Sequence, residues 1–367
     1  MEWSDKIRKA FFVLLRAGLW NGAADDVSCF PLSEGEWKCV WMHAMRQSVR
    51  GLIFDGVCLL PEQMMPNVQL LMAWTAEIDR VERRNRQMNG VLMKMMGLLK
   101  DSKERPLVLK GQGVAQFYEH PLLRECGDID VYFTHREDEQ FLLDRVRSKG
   151  GNVVREPDGT SAYVLDGIDV EHHNRIFDLY APGTKEYLCE LIQNEGFMSL
   201  SLHADAESSI CVLSPKLNLI SLNAHILKHL LGHGIGLRQF CDMARAYHVL
   251  RPEYDGAQLQ ESYRRCGLMR WSRLLHTLLV RELGLPEADL PYEESLLPTA
   301  DALLDRVMAT GNFGKFTAAR VDTTQSVWKR KLHTGLAFLG NLRFSLTYAP
   351  KETFGLVGDL FLGNIKS

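Results

Sequence analysis

Two aspartates one residue apart, Asp128 and Asp130, open a short apolar run, Ile129 to Phe133. Side chains in a strand alternate with period two, so an Asp-x-Asp pair sends both carboxylates to one face. Two convergent carboxylates repel unless a cation sits between them. Mg²⁺ suits such a pair, being a hard ion that also binds substrate phosphates, with Mn²⁺ as the alternate ion. A pair of such ions can activate an attacking oxygen and steady a departing phosphate group. A solvated strand end is the competing account of an isolated Asp-x-Asp, which surface turns often carry.

Three neighbouring features favour the chemical account. The apolar run from Leu107 ends in Lys110-Gly111-Gln112-Gly113 ahead of a helical stretch. Glycines there allow a tight turn, and the following helix start offers free N–H groups to an anion. Arg124, four residues before Asp128, is placed to pair with phosphate or to brace a carboxylate. About forty residues on, Gly167-Ile168-Asp169-Val170-Glu171-His172-His173 reads as a strand with Asp169, Glu171 and His173 on one face. A third carboxylate from a neighbouring strand would complete a two-metal site. An ordinary strand-to-helix turn and a solvated arginine are the plain accounts of the first two features.

As a set, these residues resemble the nucleotidyltransferase superfamily typified by DNA polymerase β and the aminoglycoside and lincosamide nucleotidyltransferases. The pattern is most similar to a bacterial family of uncharacterised nucleotidyltransferase-like proteins. That family carries a strand ending in Lys-Gly, an Arg in the next loop, a Gly-Asp-Ile-Asp strand and a later Glu-x-His strand. Here these are Leu109-Lys110-Gly111, Arg124, Gly127 to Asp130, and Glu171-His172-His173. The resemblance spans most of residues 1 to 250. It implies that Asp128 and Asp130 hold the catalytic divalent ions and that Glu171 is the third carboxylate. Asp169 is the rival by strand geometry, and the Glu-x-His match favours Glu171. Gly111 and Gln112 are expected to face the triphosphate of an NTP. Superfamily members usually carry Gly-Ser or Gly-Gly there, so Gln112 is a departure that bears on the usual phosphate contact. Lys110 supplies charge in its place or braces a carboxylate. His173 positions Glu171 or the acceptor, or is a plain structural histidine.

Other chemistries find less support. His225, His229 and His233 recur at helical spacing, but Gly232 and Gly234 weaken that helix and no H-E-x-x-H glutamate is present. A buried or pocket-lining helix face is the favoured account of these histidines. There is no G-x-S-x-G elbow, and the glycines after Lys110 lack the G-K-[ST] ending of a P-loop. The eight cysteines form no C-x-x-C pair, which argues against a zinc knuckle and for reduced thiols. Net charge is -3 with acids and bases interspersed, which disfavours a long nucleic-acid partner. No apolar run reaches membrane-spanning length, so a cytoplasmic protein is expected.

The elements that must position these groups follow from periodicity. The expected fold class is α+β, a small mixed β-sheet nucleotidyltransferase core flanked by N-terminal and C-terminal helical regions. Residues 1–103 form the N-terminal helical region, with a charged solvated face at Glu77 to Arg86 and core-filling methionines at Met93, Met95 and Met96. Residues 104–213 form the α/β core. Its strands are Leu107 to Lys110, Ile129 to Phe133, Val153-Val154, Ala162 to Leu165, Ile168 to His172 and Ile210 to Leu213. Its helices are Gly113 to Glu119, Arg136 to Ser148 and Lys185 to Gln193. Residues 214–310 form a helical bundle, and residues 311–367 a tail that packs on the core or a partner. Taken together, the expectation is a Mg²⁺-dependent enzyme that moves an NMP group from an NTP to a small-molecule or protein acceptor, releasing pyrophosphate. The alternatives are a catalytically idle nucleotide-binding or scaffold protein with the same fold, and a helical interaction protein whose carboxylates are merely solvated.

Overall fold

A computed structural model of the chain describes residues 3–99, 105–156, 159–202, 209–232, 234–293, 296–311 and 342–363. The linker at 101–104, the turn residues Pro157 and Asp158, His233 and most of the tail lie outside these. The chain divides into two compact units. One comprises Met1–Met42, Val49–Ile176 and Gly196–Ser214; the other comprises His43–Ser48, Phe177–Glu195 and Pro215–Ser367.

The first unit opens with α1 (Asp5–Trp20), started by the Ser4 side chain, which accepts from the Ile7 amide. After α2 (Glu34–Gln47), the left-handed backbone of Ser48 separates it from α3 (Arg50–Cys58). α1 and α3 meet closely where they carry glycine: a Cβ on Gly18 would lie 1.9 Å from the Leu52 carbonyl oxygen, and one on Gly56 would lie 2.1 Å from that of Leu14. The long α4 (Val68–Leu98) is started by Asn67, whose side chain accepts from the Leu70 amide. Its buried stripe runs Trp74, Ile78, Asn85, Met88, Leu92 and Met95, at the 3-4 spacing of one helix face. Two polar residues of α4, Asn85 and Asn89, are buried with it at mid-helix.

The sheet has seven strands, in the order β3-β4-β5-β2-β1-β7-β6. They are β1 (Leu107–Val108), β2 (Ile129–Tyr132), β3 (Val154–Arg155), β4 (Ser161–Leu165), β5 (Ile168–His173), β6 (Phe197–Ser201) and β7 (Ser209–Leu213). β1 runs antiparallel to β2 and parallel to β7, whereas β2 and β5 are parallel. The sheet is therefore mixed, as expected for the α+β class. One face buries Val108, Ile129, Val131, Ile168, Val170, Ile210 and Val212 against Met88, Leu92 and Met95 of α4 and against Leu142, Leu143 and Val146 of α6 (Arg136–Ser148). Alternation then turns Asp130, Glu171 and His173 to the opposite face.

Two local expectations are corrected. The helix expected over Gly113 to Glu119 is a single turn, α5 (Gln112–Ala115), followed by a 3-10 turn at Pro121–Leu123. After Ala115 the backbone tightens to 3-10-type bonding, the Gln116, Phe117 and Tyr118 amides donating to the Gly113, Val114 and Ala115 carbonyls, so the α-helix does not continue. The edge strand β6, Phe-Met-Ser-Leu-Ser, was not expected. It pairs antiparallel with β7, and its exposed-intermediate alternation is too weakly apolar to read from sequence.

The second unit is helical: α7 (Thr184–Glu195), α8 (Pro215–Leu231), α9 (Leu237–Leu250), α10 (Gly256–Arg265), α11 (Met269–Arg281), α12 (Asp301–Thr310) and a last helix over Pro350–Gly363. Pro215 sits at the first helical position of α8, and Asp255 accepts from the Ala257 and Gln258 amides at the start of α10. Buried Gln47 closes two ends at once, donating to the Val307 carbonyl and accepting from the Leu237 amide. Glu352 reaches from the first turn of the last helix to accept from the Tyr180 and Ala181 amides. His225 and His229 stack edge to face with ring centroids 4.3 Å apart, and neither joins a metal-ligating group among the described residues. All eight cysteines are free thiols. Among the described residues no helix is long and apolar enough to cross a membrane.

Candidate active site

The parallel pairing of β2 with β5 sets Asp130 opposite Glu171 and Tyr132 opposite His173. On the face away from the core, one acidic side chain of β2 thus meets two side chains of β5. Ligand atoms of Asp130, Glu171 and His173 all lie within 4.8 Å of one another, the one such group among the described residues. His173 donates from Nε2 to Asp130 Oδ1 at 2.5 Å and lies 3.9 Å from Glu171 Oε2. Lys110, just past β1, brings Nζ to 3.7 Å from the same Asp130 oxygen. The β1–β2 pairing continues to Leu109, whose amide donates to the Asp130 carbonyl, so Lys110 is held beside Asp130 by sheet register.

The charges of this cluster are coupled. Asp130 is 9% exposed, and burial by itself disfavours its ionised form. The ammonium of Lys110, the hydrogen bond and charge of His173 and the guanidinium of Arg124 outweigh burial and hold Asp130 well below the usual carboxylate range. Glu171 goes the other way. Partial burial and then the negative charges of Asp128 and Asp130 push its carboxyl up, against the pull of His173 and Lys110. One carboxylate is thus held firmly ionised and its neighbour is made more basic than usual. Two carboxylates on one face, with the charge of Asp128 nearby, form the donor set that a hard divalent cation relieves, with oxygen from Asp130 and Glu171 and an imidazole at the margin.

The residues expected at the site fall into three groups. Asp130, Glu171, His173 and Lys110 converge as described. Asp128 stands just before β2, half-buried, outside the convergent group but near enough for its charge to act on Glu171. Asp169 is exposed, pairs with Val164 of β4 and lies outside the group, so geometry separates it from Glu171. His172 points to the other face, buried against Tyr163 and Phe133.

The phosphate-side residues lie just past β1 and in the loop before β2. Gly111 has a positive φ of 50°, which suits glycine at this turn. The side chain of Gln112 does not reach the carboxylates. It is 3% exposed, donates to the Asn85 carbonyl of α4 at 3.2 Å, and accepts from the Cys126 thiol at 3.0 Å. Arg124 is buried too, donating to Cys126 Sγ at 3.0 Å, with its charge acting on Asp130. Asn85 and Cys126 are the residues that sequence reasoning missed. For Asn85 the signal is weak, since its neighbours one turn away are Val81 and Met88 but also Glu82 and Asn89. For Cys126 there was none.

The loop that leads into β2 is anchored residue by residue. Asn85 Nδ2 donates to the Leu122 and Arg124 carbonyls at 2.6 and 2.8 Å. Arg50 of α3 grips Glu125 through its amide, Nε and Nη2, and Arg84 of α4 donates to the Gly127 carbonyl at 3.0 Å. Asp128 and Asp130 follow directly.

Against known proteins, a family described as uncharacterised nucleotidyltransferase matches residues 33–283, more than half of the chain. A crystal structure of an antigenic nucleotidyltransferase-like protein from Paracoccidioides brasiliensis is similar at 13% identity, covering 55% of this chain and 92% of that one, with a TM-score of 0.31. The likeness is too slight to assign a fold. No curated protein matches.

Proposed function

Because the chain belongs to the family of uncharacterised nucleotidyltransferases, we propose that it moves an NMP group from an NTP to a hydroxyl-bearing acceptor, releasing pyrophosphate. The observation that carries the reading is the convergence of Asp130, Glu171 and His173 across the β2–β5 pair, with Lys110 alongside. Asp130 and Glu171 would hold the divalent cation, Mg²⁺ or Mn²⁺, with Asp128 adding charge at its edge. When bound, that cation supplies charge neutralisation for the phosphates and polarises the reacting oxygens.

The chain's own groups account for the rest of the step. The acceptor oxygen forms a bond to the α-phosphorus, and the bond from that phosphorus to the β-phosphate's bridging oxygen breaks. Glu171, the third carboxylate, would stand beside the cation and the acceptor hydroxyl, whose proton passes to solvent water. His173 orients Asp130 by its 2.5 Å hydrogen bond. Lys110 balances the charge of Asp130 from 3.7 Å, and its ammonium would be the nearby cationic group for a substrate phosphate. Positioning and charge, rather than covalent chemistry by the protein, supply the rate. We place the protein in the superfamily of DNA polymerase β-type nucleotidyltransferases on the same residues, as a cytoplasmic enzyme with a small-molecule or protein acceptor.

Isothermal titration of Mg²⁺ and each NTP into the wild type and into Asp130→Ala tests the reading. Binding to the wild type that Asp130→Ala abolishes supports it; absence of binding to both overturns it. The inward turn of Gln112 favours one second reading, an idle nucleotide-binding protein with this fold. Nucleotide binding without pyrophosphate release across an acceptor panel selects that alternative.

A further inference from the structure

Asn85 sits in the middle of the apolar stripe of α4, 2% exposed, and spends every polar group of its side-chain amide nitrogen on one loop. A primary amide is the side chain that offers two N–H donors from a single atom while carrying no charge. Here one N–H meets the Leu122 carbonyl at 2.6 Å and the other the Arg124 carbonyl at 2.8 Å. The backbone carbonyl of the same residue accepts from Gln112 Nε2 at 3.2 Å. Gln112 Oε1 in turn accepts from Cys126 Sγ at 3.0 Å, and Cys126 Sγ accepts from Arg124 Nη1 at 3.0 Å. The contacts close a circuit, Asn85 to Gln112 to Cys126 to Arg124 and back to Asn85.

The circuit joins two segments with little regular structure of their own. The first is the turn Lys110 to Gln112 at the end of β1. The second is the loop Leu122 to Cys126 that feeds Asp128 and Asp130. Strand pairing reaches Leu109 and sets Lys110 at one end of the first segment, but it does not extend to Gly111 and Gln112 or into the second, and Gly111 turns there with a positive φ. A site that receives a polyphosphate needs such segments held to within about 0.5 Å of the productive geometry.

We propose that Asn85 is a positioning residue for nucleotide binding: from α4 it fixes the Lys110–Gln112 turn and the Leu122–Cys126 loop together in the arrangement that receives the phosphates. Gln112, the departure from the superfamily pattern, is then a strut between helix and loop rather than a phosphate ligand. The inference rests on the nucleotidyl-transfer reading above. It separates the site into a metal half, held by the β2–β5 register, and a phosphate half, held by Asn85.

The separation is the test. Full-length Asn85→Ala is compared with the wild type by amide hydrogen exchange, by titration with Mn²⁺ alone, and by titration with a non-hydrolysable ATP analogue in Mg²⁺. The expected result is faster exchange confined to residues 111–128, unchanged Mn²⁺ affinity, and nucleotide affinity lowered about tenfold. Wild-type nucleotide affinity in Asn85→Ala overturns the proposal and leaves the reading of the reaction intact. Equal losses of Mn²⁺ and nucleotide affinity with exchange raised throughout also overturn it, since a purely structural residue behaves so. A wild type that binds no nucleotide overturns both. If Asn85→Ala does not fold, Gln112→Met, of similar volume and cutting the circuit at its other end, gives the same expected pattern and the same overturning outcomes.

Discussion

His173 Nε2 stands 2.5 Å from Asp130 Oδ1 across two parallel strands, so a carboxylate held well below its usual range is oriented by a side chain forty-three residues further along the chain. The same register sets Glu171 beside Asp130, and this geometry makes separate, measurable demands on each residue.

Divalent-ion binding depends on Asp130 and Glu171 and not on Asp169. Asp130→Asn or Glu171→Gln lowers Mn²⁺ affinity by more than the roughly 10–100-fold that losing an outer-shell partner costs. Asp169→Asn, exposed on the same strand face, leaves it unchanged. Calorimetric titration with Mn²⁺ decides the matter, and equal losses in the Glu171 and Asp169 variants would refute this placement.

Lys110 is what lets buried Asp130 stay ionised without a cation. The Asp130 pKa is depressed in the fold. Its stabilising contribution is therefore present above the unfolded value near 4 and is lost as pH falls through the lower folded value. In chelator, Lys110→Met is expected to lose about 1–3 kcal/mol at pH 7. The gap to the wild type narrows below about pH 4. Urea unfolding at pH 7 and pH 3 measures it, and a gap that widens in acid contradicts the assignment.

The α1–α3 crossing tolerates no side chain at Gly56. Alanine would gain about 1 kcal/mol of helix propensity there but must displace the Leu14 carbonyl, 2.1 Å from its Cβ, at an overpacking cost of about 1–3 kcal/mol. Gly56→Ala is expected to destabilise the protein in urea. Gly90→Ala, on α4 with nothing within 4 Å, is expected to stabilise it by about 0.5–1 kcal/mol. Equal effects at the two positions would show that packing does not decide the difference.

Glu352 of the last helix gives the second unit a pH dependence of opposite sign. Burial, with the charge of Asp178 added, pushes its carboxyl up to about 7 against the pull of the Tyr180 and Ala181 amides. A raised folded pKa means stability that is full below the unfolded value near 4.3 and is lost as pH rises through about 7. The wild type should lose melting temperature across this window, and Glu352→Gln should show a flatter profile. Parallel profiles would remove Glu352 as the cause.

The sequence by itself determined what is local. Strand alternation put Asp169, Glu171 and His173 on one face, and helical spacing bounded α6 to the residue. The edge strand β6 escaped because its side chains alternate without strong apolar contrast, and the short α5 because the backbone tightens to 3-10-type bonding after Ala115 without a proline or glycine there to signal it. Tertiary structure alone decided which residues meet. Period-two alternation leaves Asp169 and Glu171 equivalent, and only the β2–β5 register puts Glu171 opposite Asp130. Likewise nothing near Gln112 in the chain says that its amide turns inward, because its partners, Asn85 and Cys126, lie 27 residues before it and 14 after it, on a helix and a loop brought together by packing. Faces are set by the geometry of one strand, whereas partners are set by which strands and helices bury each other's apolar surface, and that is a property of the whole fold.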